Sequence, residues 1–119
     1  DNIHIDLCVL AVEHYRFVAT ILHAIEHKSP ALLPQDCHDH SQCSLGQWLL
    51  GAGKEQYGSL IEFKKIADEH KKVHTMSGYI KSLIKDNKLD NIEIINLELI
   101  EHRDHILAYL KKLQSTPDL

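Results

Sequence analysis

Residues that interrupt helices are scarce in this chain of 119 residues. It contains five Gly and three Pro, so most of the sequence is compatible with long helices. Cysteines are also few, and their odd number of three prevents complete pairing into disulfides. Because the sequence shows no secretory signal pattern, we expect cysteines that serve as thiols or metal ligands in a cytoplasmic protein.

A surplus of positive charge and a long apolar run are missing as well. The formal net charge is -4 with histidine neutral, which argues against nucleic acid as a partner, because nucleic-acid-binding domains need basic side chains to neutralise phosphates. The longest clear apolar run, Leu7 to Val12, is far shorter than the roughly 20 residues that span a bilayer. The sequence therefore predicts no membrane insertion by this segment.

Apolar residues recur at three- and four-residue steps, which is typical of helices with one buried face. This periodicity predicts long helices over residues 3–28, 58–85 and 90–114, and a short helix over 44–51. We expect Ser44 and Asp90 to be N-caps. The predicted fold is all-α and four-helix-bundle-like. We interpret residues 1–119 as a single domain from a longer protein, because the helical pattern already begins near Asp1.

The chain contains ten histidines, and their positions on the predicted helices matter more than their number. His70 and His74 are one helical turn apart, so both side chains can reach one metal ion. His14 lies on the apolar stripe of the first helix and can face that pair across the bundle. In contrast, His23 and His27 lie on a polar face, where solvation is the simpler interpretation.

Cys43 precedes the short helix and could supply a fourth ligand, because the helix dipole favours a thiolate there. Three imidazoles and one thiolate suit tetrahedral zinc, although copper and cobalt are chemically possible. His102 lies on the core stripe of the last helix, where it could be a buried residue, a dimer contact or a group that supports a ligand. The loop with Cys37, His38 and His40 resembles a second cluster, but such residues are common in flexible loops.

The stretch Cys43-Ser44-Leu45-Gly46-Gln47-Trp48-Leu49, with His14 upstream and the pair His70 and His74 downstream, resembles the chemoreceptor zinc-binding (CZB) domain family. The combination of Cys-x-x-Gly-x-Trp with His-x-x-x-His is specific, whereas either element alone is not. The resemblance runs from about residue 7 to residue 85, and the last helix fits by position only.

This resemblance implies a cytoplasmic regulatory domain of a bacterial signalling protein, of the chemoreceptor or diguanylate cyclase type. It implies one Zn²⁺ held by His14, Cys43, His70 and His74, with Gly46 and Trp48 as structural support. It also implies a homodimer and a linked effector domain. We expect no enzymatic activity, because four protein ligands leave no open position for water. Members of the family are reported to sense zinc or, through the zinc-bound cysteine, oxidants such as hypochlorous acid, so Cys43 is the expected redox-sensing residue.

Three other functions compete with this interpretation. A haemerythrin-like or ferritin-like di-iron bundle would need carboxylate ligands, and the sequence has no Glu-x-x-His. A zinc hydrolase would need a general base, yet Lys71 stands where His-Glu-x-x-His has its glutamate, and four protein ligands leave no open position for water. The third alternative is a plain helical dimerisation module in which the histidines are incidental.

Overall fold

Five α-helices make up most of the computed structural model, which describes residues 7–34 and 37–115. The three long helices are α1 (Leu7–Glu26), α4 (Ile61–Lys85) and α5 (Ile92–Gln114). Two short helices, α2 (Ser44–Leu50) and α3 (Ala52–Tyr57), lie between α1 and α4 in the chain, and a 3₁₀ turn spans Pro30–Leu32. The described residues contain no strand, which confirms the predicted all-α class.

The long helices form the body of the bundle, and the short ones complete it. Helix α5 packs along both α4 and α1, while α2 contacts α1 and α4, and α3 contacts α4. The pair α2–α3 therefore occupies the place of a fourth helix. Each long helix buries one apolar stripe, as the 3.6-residue periodicity requires, and the fully buried aliphatic side chains include Val18, Ile21, Ile66, Val73, Ile80, Leu99 and Ile106.

The helix boundaries differ from the predicted ones where local backbone effects dominate. Helix α1 ends before Lys28, whose φ of 51° is left-handed and stops the helix. Its predicted start at residues 3–6 lies outside the described residues. The predicted helix 58–85 begins instead at Ile61, after the separate helix α3 that the sequence analysis missed. Asp90 is not the cap of α5, because the cap position is Asn91, which makes no capping hydrogen bond through its side chain.

Helix α1 also differs from the sequence expectation in its apolar character. By length and composition, it is the one helix among residues 7–34 and 37–115 that would suffice to cross a membrane. The count of uninterrupted apolar residues missed this property because polar residues are scattered along the helix. The core helix of a bundle has the same composition, and α1 contributes Leu10, Val18 and Ile21 to the apolar core.

Candidate metal centre

The histidine pair of α4 faces the interior of the bundle. His70 and His74 are 0% and 1% exposed, and their ring centroids are 4.5 Å apart. They lie one turn apart on a helix of 25 residues, so the backbone fixes the spacing of the two rings. Two imidazoles are thus held side by side in a nearly dry environment.

Cys43 brings a sulfur atom to this pair from the start of α2. Its Sγ lies 3.1 Å from Nε2 of His70 and 3.6 Å from Nε2 of His74. Cys43 is itself the N-cap of α2, because its Sγ accepts a hydrogen bond from the Gly46 amide at 3.3 Å. The prediction that Ser44 caps this helix was therefore wrong, since the exposed Ser44 is already its first helical residue.

The separations of these atoms fit a tetrahedral zinc ion. Bonds of about 2.0 Å to nitrogen and about 2.3 Å to sulfur place N and S roughly 3.5 Å apart around a tetrahedral centre. The distances of 3.1 and 3.6 Å from Cys43 Sγ to the two ring nitrogens are close to that value. Cys43, His70 and His74 form a group whose ligand atoms all lie within 4.8 Å of one another. This group contains a thiol and no carboxylate, which suits zinc better than a di-iron centre.

His14 of α1 lies beside this group and has an unsatisfied nitrogen. The residue is 3% exposed, and its ring centroid is 5.4 Å from that of His70 and 6.4 Å from that of His74. Its Nε2 is buried without a hydrogen-bond partner. A buried imidazole nitrogen without a partner is costly, and a metal ion would satisfy it. The structure thus places His14 next to the three assembled ligands, although outside the 4.8 Å group.

The protein environment keeps the imidazoles neutral. Burial, followed by the nearby His74, lowers the pKa of His14 to about 4. Burial, followed by the neighbouring imidazoles, lowers the pKa of His70 to about 2. The pKa of His74 is also lowered by burial, although its hydrogen bond with Cys37 opposes the effect. Neutral rings have the lone pairs that a metal needs, so the site is ready for a cation without releasing histidine protons.

From the sequence, we expected the helix dipole to favour a thiolate at Cys43. The surroundings of the side chain in the structure favour the protonated thiol instead. Burial raises the pKa of the Cys43 thiol above its ordinary value, and the hydrogen bond from the Gly46 amide offsets this only in part. The thiol thus keeps its proton at neutral pH in the metal-free protein. Binding of a divalent cation would release that proton, because thiolate is the metal-binding form.

A backbone carbonyl that the sequence analysis missed orients one of the rings. Nδ1 of His74 lies 2.7 Å from the carbonyl oxygen of Cys37, which can only accept, so Nδ1 carries the proton. The lone pair of His74 is then on Nε2, the atom that faces Cys43. Such an outer partner fixes the tautomer and the orientation of a ligand. No residue type in the sequence signals this contact, because any residue at position 37 offers a carbonyl.

Gly46 and Trp48 fasten α2 to the rest of the bundle. A Cβ atom on Gly46 would lie 1.8 Å from the carbonyl oxygen of His40, so only glycine permits this close approach. Trp48 is 5% exposed, and its ring packs 5.7 Å from that of Phe63 on α4. The indole also covers Gly53, where a Cβ would lie 2.6 Å from it. These contacts hold α2, the helix that Cys43 caps.

The other histidines considered from sequence are not part of this group. His102 is partly buried and is hydrogen-bonded to Glu69, not to a residue of the Cys43 group. His23 and His27 are exposed, as the polar face predicted.

Among residues 7–34 and 37–115, the loop of Cys37, His38 and His40 supplies no ligand group of its own. Asp39 instead accepts hydrogen bonds from Ser41 and shapes a turn.

A cavity of about 260 Å³ adjoins the site between α1 and the start of α2. Its lining includes Glu13, His14 and Phe17 from α1, and Gln42 and Cys43 from the loop before α2. Two of the predicted ligands therefore line a space large enough for small solutes.

Comparison with known families agrees with this geometry. The family model of the chemoreceptor zinc-binding domain matches residues 14–81, a segment that begins at His14 and includes Cys43, His70 and His74. No curated protein and no solved structure matches the chain significantly. The family is one of sensory zinc-binding domains and is not known for catalysis. Since the match covers more than half of the sequence, the chain belongs to the chemoreceptor zinc-binding domain family.

Proposed function

We propose that this domain binds one Zn²⁺ through His14, Cys43, His70 and His74 and thereby regulates a linked effector of a bacterial signalling protein. The effector is of the chemoreceptor or diguanylate cyclase type, and the domain works as a cytoplasmic homodimer. The observation that carries the proposal is the unequal anchoring of the ligands. His70 and His74 belong to one long helix, whereas Cys43 caps a helix of seven residues.

This inequality makes Cys43 the ligand that can be released. Zinc bound at the site would keep the Cys43 sulfur as a thiolate, the form that oxidants attack. Reaction of this thiolate with hypochlorous acid gives sulfenic acid and chloride, so that sulfur loses two electrons and chlorine gains them. The cavity lined by Cys43 and His14 gives a small oxidant access to the sulfur.

Release of Cys43 from the zinc ion would change the packing of α2, and a linked effector domain could respond to that change. The sulfur accepts the hydrogen bond that caps α2, and α2 contacts both α1 and α4. A sulfenic oxygen at this position weakens the cap and adds bulk beside His70. Helix α2 then loosens from α4, and the relative packing of the long helices changes.

The homodimer is proposed from exposed apolar side chains on the long helices. On α1, Val9 and Val12 are 50% and 53% exposed, and on α5, Ile94 and Leu97 are 58% and 67% exposed. Apolar surface of this kind favours burial against a second copy. Sedimentation equilibrium of the wild type should show a dimer, and Leu97→Glu should shift it toward monomer. A monomeric wild type would contradict this part of the proposal.

Zinc affinity before and after oxidation tests the site itself. We expect one tightly bound zinc per wild-type chain, purified without added metal and without a histidine tag. Cys43→Ser should weaken binding at least about 10-fold, because loss of a ligand exceeds loss of an outer partner. Hypochlorous acid should weaken binding by the wild type and leave Cys43→Ser unchanged, and the full-length signalling output should respond in the same pattern.

Two thiol controls separate the site from general oxidation. Cys8→Ser and Cys37→Ser remove the other cysteines and should retain both the tight zinc and the oxidant response. If Cys43→Ser has the zinc affinity and the signalling response of the wild type, the proposal is wrong. A wild type that contains no tightly bound metal would instead favour a plain helical dimerisation module.

A further inference from the structure

A second group of metal-binding side chains lies at the edge between α4 and α5. Glu69 of α4 approaches His102 and His105, which are three residues apart on α5 and therefore on one face of that helix. Oε2 of Glu69 is in contact with Nδ1 of His102 and lies 3.5 Å from Nδ1 of His105. All three ligand atoms lie within 4.8 Å of one another.

This arrangement is more than an ordinary ion pair. One oxygen of Glu69 lies close to ring nitrogens of two different residues, His102 and His105. A single charged histidine would be enough to balance the charge of the carboxylate. A cation shared by the three groups would neutralise the carboxylate and use the lone pair of each ring. The side chains of Glu69, His102 and His105 are 16%, 21% and 46% exposed. The group is therefore held by the helices and remains open to solvent on one side.

We propose that Glu69, His102 and His105 form a second divalent-metal site, of the class that takes Zn²⁺. Two imidazoles and one carboxylate are a ligand set that zinc accepts, with the fourth position left to water. Without a thiolate and with partial exposure, this site binds more weakly than the Cys43 group and exchanges its ion readily. The inference does not depend on the regulatory role proposed for Cys43.

Occupation of this site would join different helices from those joined by the Cys43 group. Cys43 and His14 connect α2 and α1 to α4, whereas His102 and His105 connect α5 to α4. Glu69 and His70 are consecutive residues, so both sites use the same turn of α4. The chain would thus respond to two ranges of zinc concentration through one helix.

Zinc and cobalt titrations of the full chain test this proposal. After one tight equivalent of Zn²⁺, calorimetry should detect a second, weaker equivalent. With Co²⁺, the first equivalent should produce a thiolate-to-metal charge-transfer band, and the second should add visible absorption without increasing that band. His105→Ala, chosen because the residue is the most exposed of the three, should weaken the second equivalent at least about 10-fold. Glu69→Gln should do the same.

A matched variant provides the control. His23 belongs to another group of potential ligands, with Glu26 and His27, that is fully on the exposed face of α1. His23→Ala should leave the second equivalent unchanged. The proposal is overturned if the wild type binds one equivalent only. It is also overturned if the second equivalent persists in both His105→Ala and Glu69→Gln, or if His23→Ala removes it.

Discussion

The two donor groups on the central turn of α4 differ in nearly every physical respect. The interior group combines a sulfur with imidazoles that are 0% and 1% exposed. The edge group combines a carboxylate with imidazoles, and its most exposed side chain, His105, is 46% accessible. Loop and helix-cap contacts hold the interior group, whereas the packing of α5 against α4 holds the edge group.

This contrast shows how a single step along a helix changes the chemistry of a side chain. Glu69 and His70 are neighbours in sequence, but about 100° of rotation separates their directions around the helix axis. His70 consequently enters a dry interior, where burial lowers its pKa to about 2, while Glu69 reaches partly solvated imidazoles. We therefore expect burial and the thiolate donor together to make the interior group the tighter site and the edge group the more readily exchanged one.

The largest effect is expected from Trp48→Ala, which would detach the interior group and spare the edge group. The indole is 5% exposed and packs against Phe63 and Gly53. Its removal should lower the free energy of unfolding by about 3–5 kcal/mol, measured by urea denaturation with a chelator present. Because α2 then no longer positions Cys43, the tight zinc equivalent should weaken more than the second one.

Leu50→Ala is the control for this substitution. Leu50 belongs to the same helix but is 62% exposed, so its loss should change stability by no more than about 0.5 kcal/mol. Equal losses for the two variants would mean that Trp48 does not fasten α2 to the bundle.

The second largest expected effect is a loss of folding stability in acid, caused by the buried His14 of the interior group. The pKa of His14 is about 4 in the folded protein and 6.5 in the unfolded chain. Between these values the unfolded chain takes up a proton that the folded protein does not, so stability falls as the pH is lowered. The slope is about 1.4 kcal/mol per pH unit, which amounts to about 3 kcal/mol from pH 6.5 to 4 for His14 alone. Urea midpoints of the chelator-treated protein between pH 6 and 5, where the slope comes closest to this limit, measure it.

Two glutamine variants identify the residue responsible for the acid effect. His14→Gln removes the titrating group and should reduce the slope by about 1.4 kcal/mol per pH unit. His23→Gln, on the exposed face of the same helix, should retain the slope of the wild type. An unchanged slope in His14→Gln would contradict the burial of a neutral His14.

The smallest expected loss of folding stability comes from a substitution in the edge group. Glu69→Gln in chelator-treated protein should cost about 1 kcal/mol, because its hydrogen bond with His102 and its contact with His105 are partly solvated and the amide oxygen can still accept from His102. Urea denaturation with chelator at pH 7 measures the change, and the exposed Glu98→Gln is the control. If Glu69→Gln lost more free energy of unfolding than Trp48→Ala, the edge group would matter more for stability than the packing around the interior group, contrary to this prediction.

Periodicity in the sequence predicted the long helices because their buried faces repeat along the chain. It did not predict α3, since Gly51 and Gly53 look like helix breakers. In the structure, Gly53 is needed for contact with Trp48, where a Cβ would lie 2.6 Å from the indole. It also did not predict Cys43 as a cap, because sulfur is a weak acceptor and Ser44 is the more usual capping residue.

The candidate site was predictable in part for similar reasons. The spacing of His70 and His74 indicates a shared ligand direction within one helix, and the structure shows both rings facing the sulfur of Cys43. The contacts of Glu69 with His102 and His105 join residues more than 30 positions apart. Such contacts depend on the relative rotation of two helices, which periodicity does not specify.

The two ends of the loop from Cys37 to Cys43 are both attached at the site, one through the Cys37 carbonyl on His74 and one through the cap of α2. Fixing a backbone residue costs about 1–2 kcal/mol in conformational entropy. The two attachments restrict the loop at both ends, so less of that cost has to be met when the ligands converge on a metal ion. The loop therefore preorganises the site through its backbone, although no side chain between positions 38 and 42 belongs to the group of Cys43, His70 and His74.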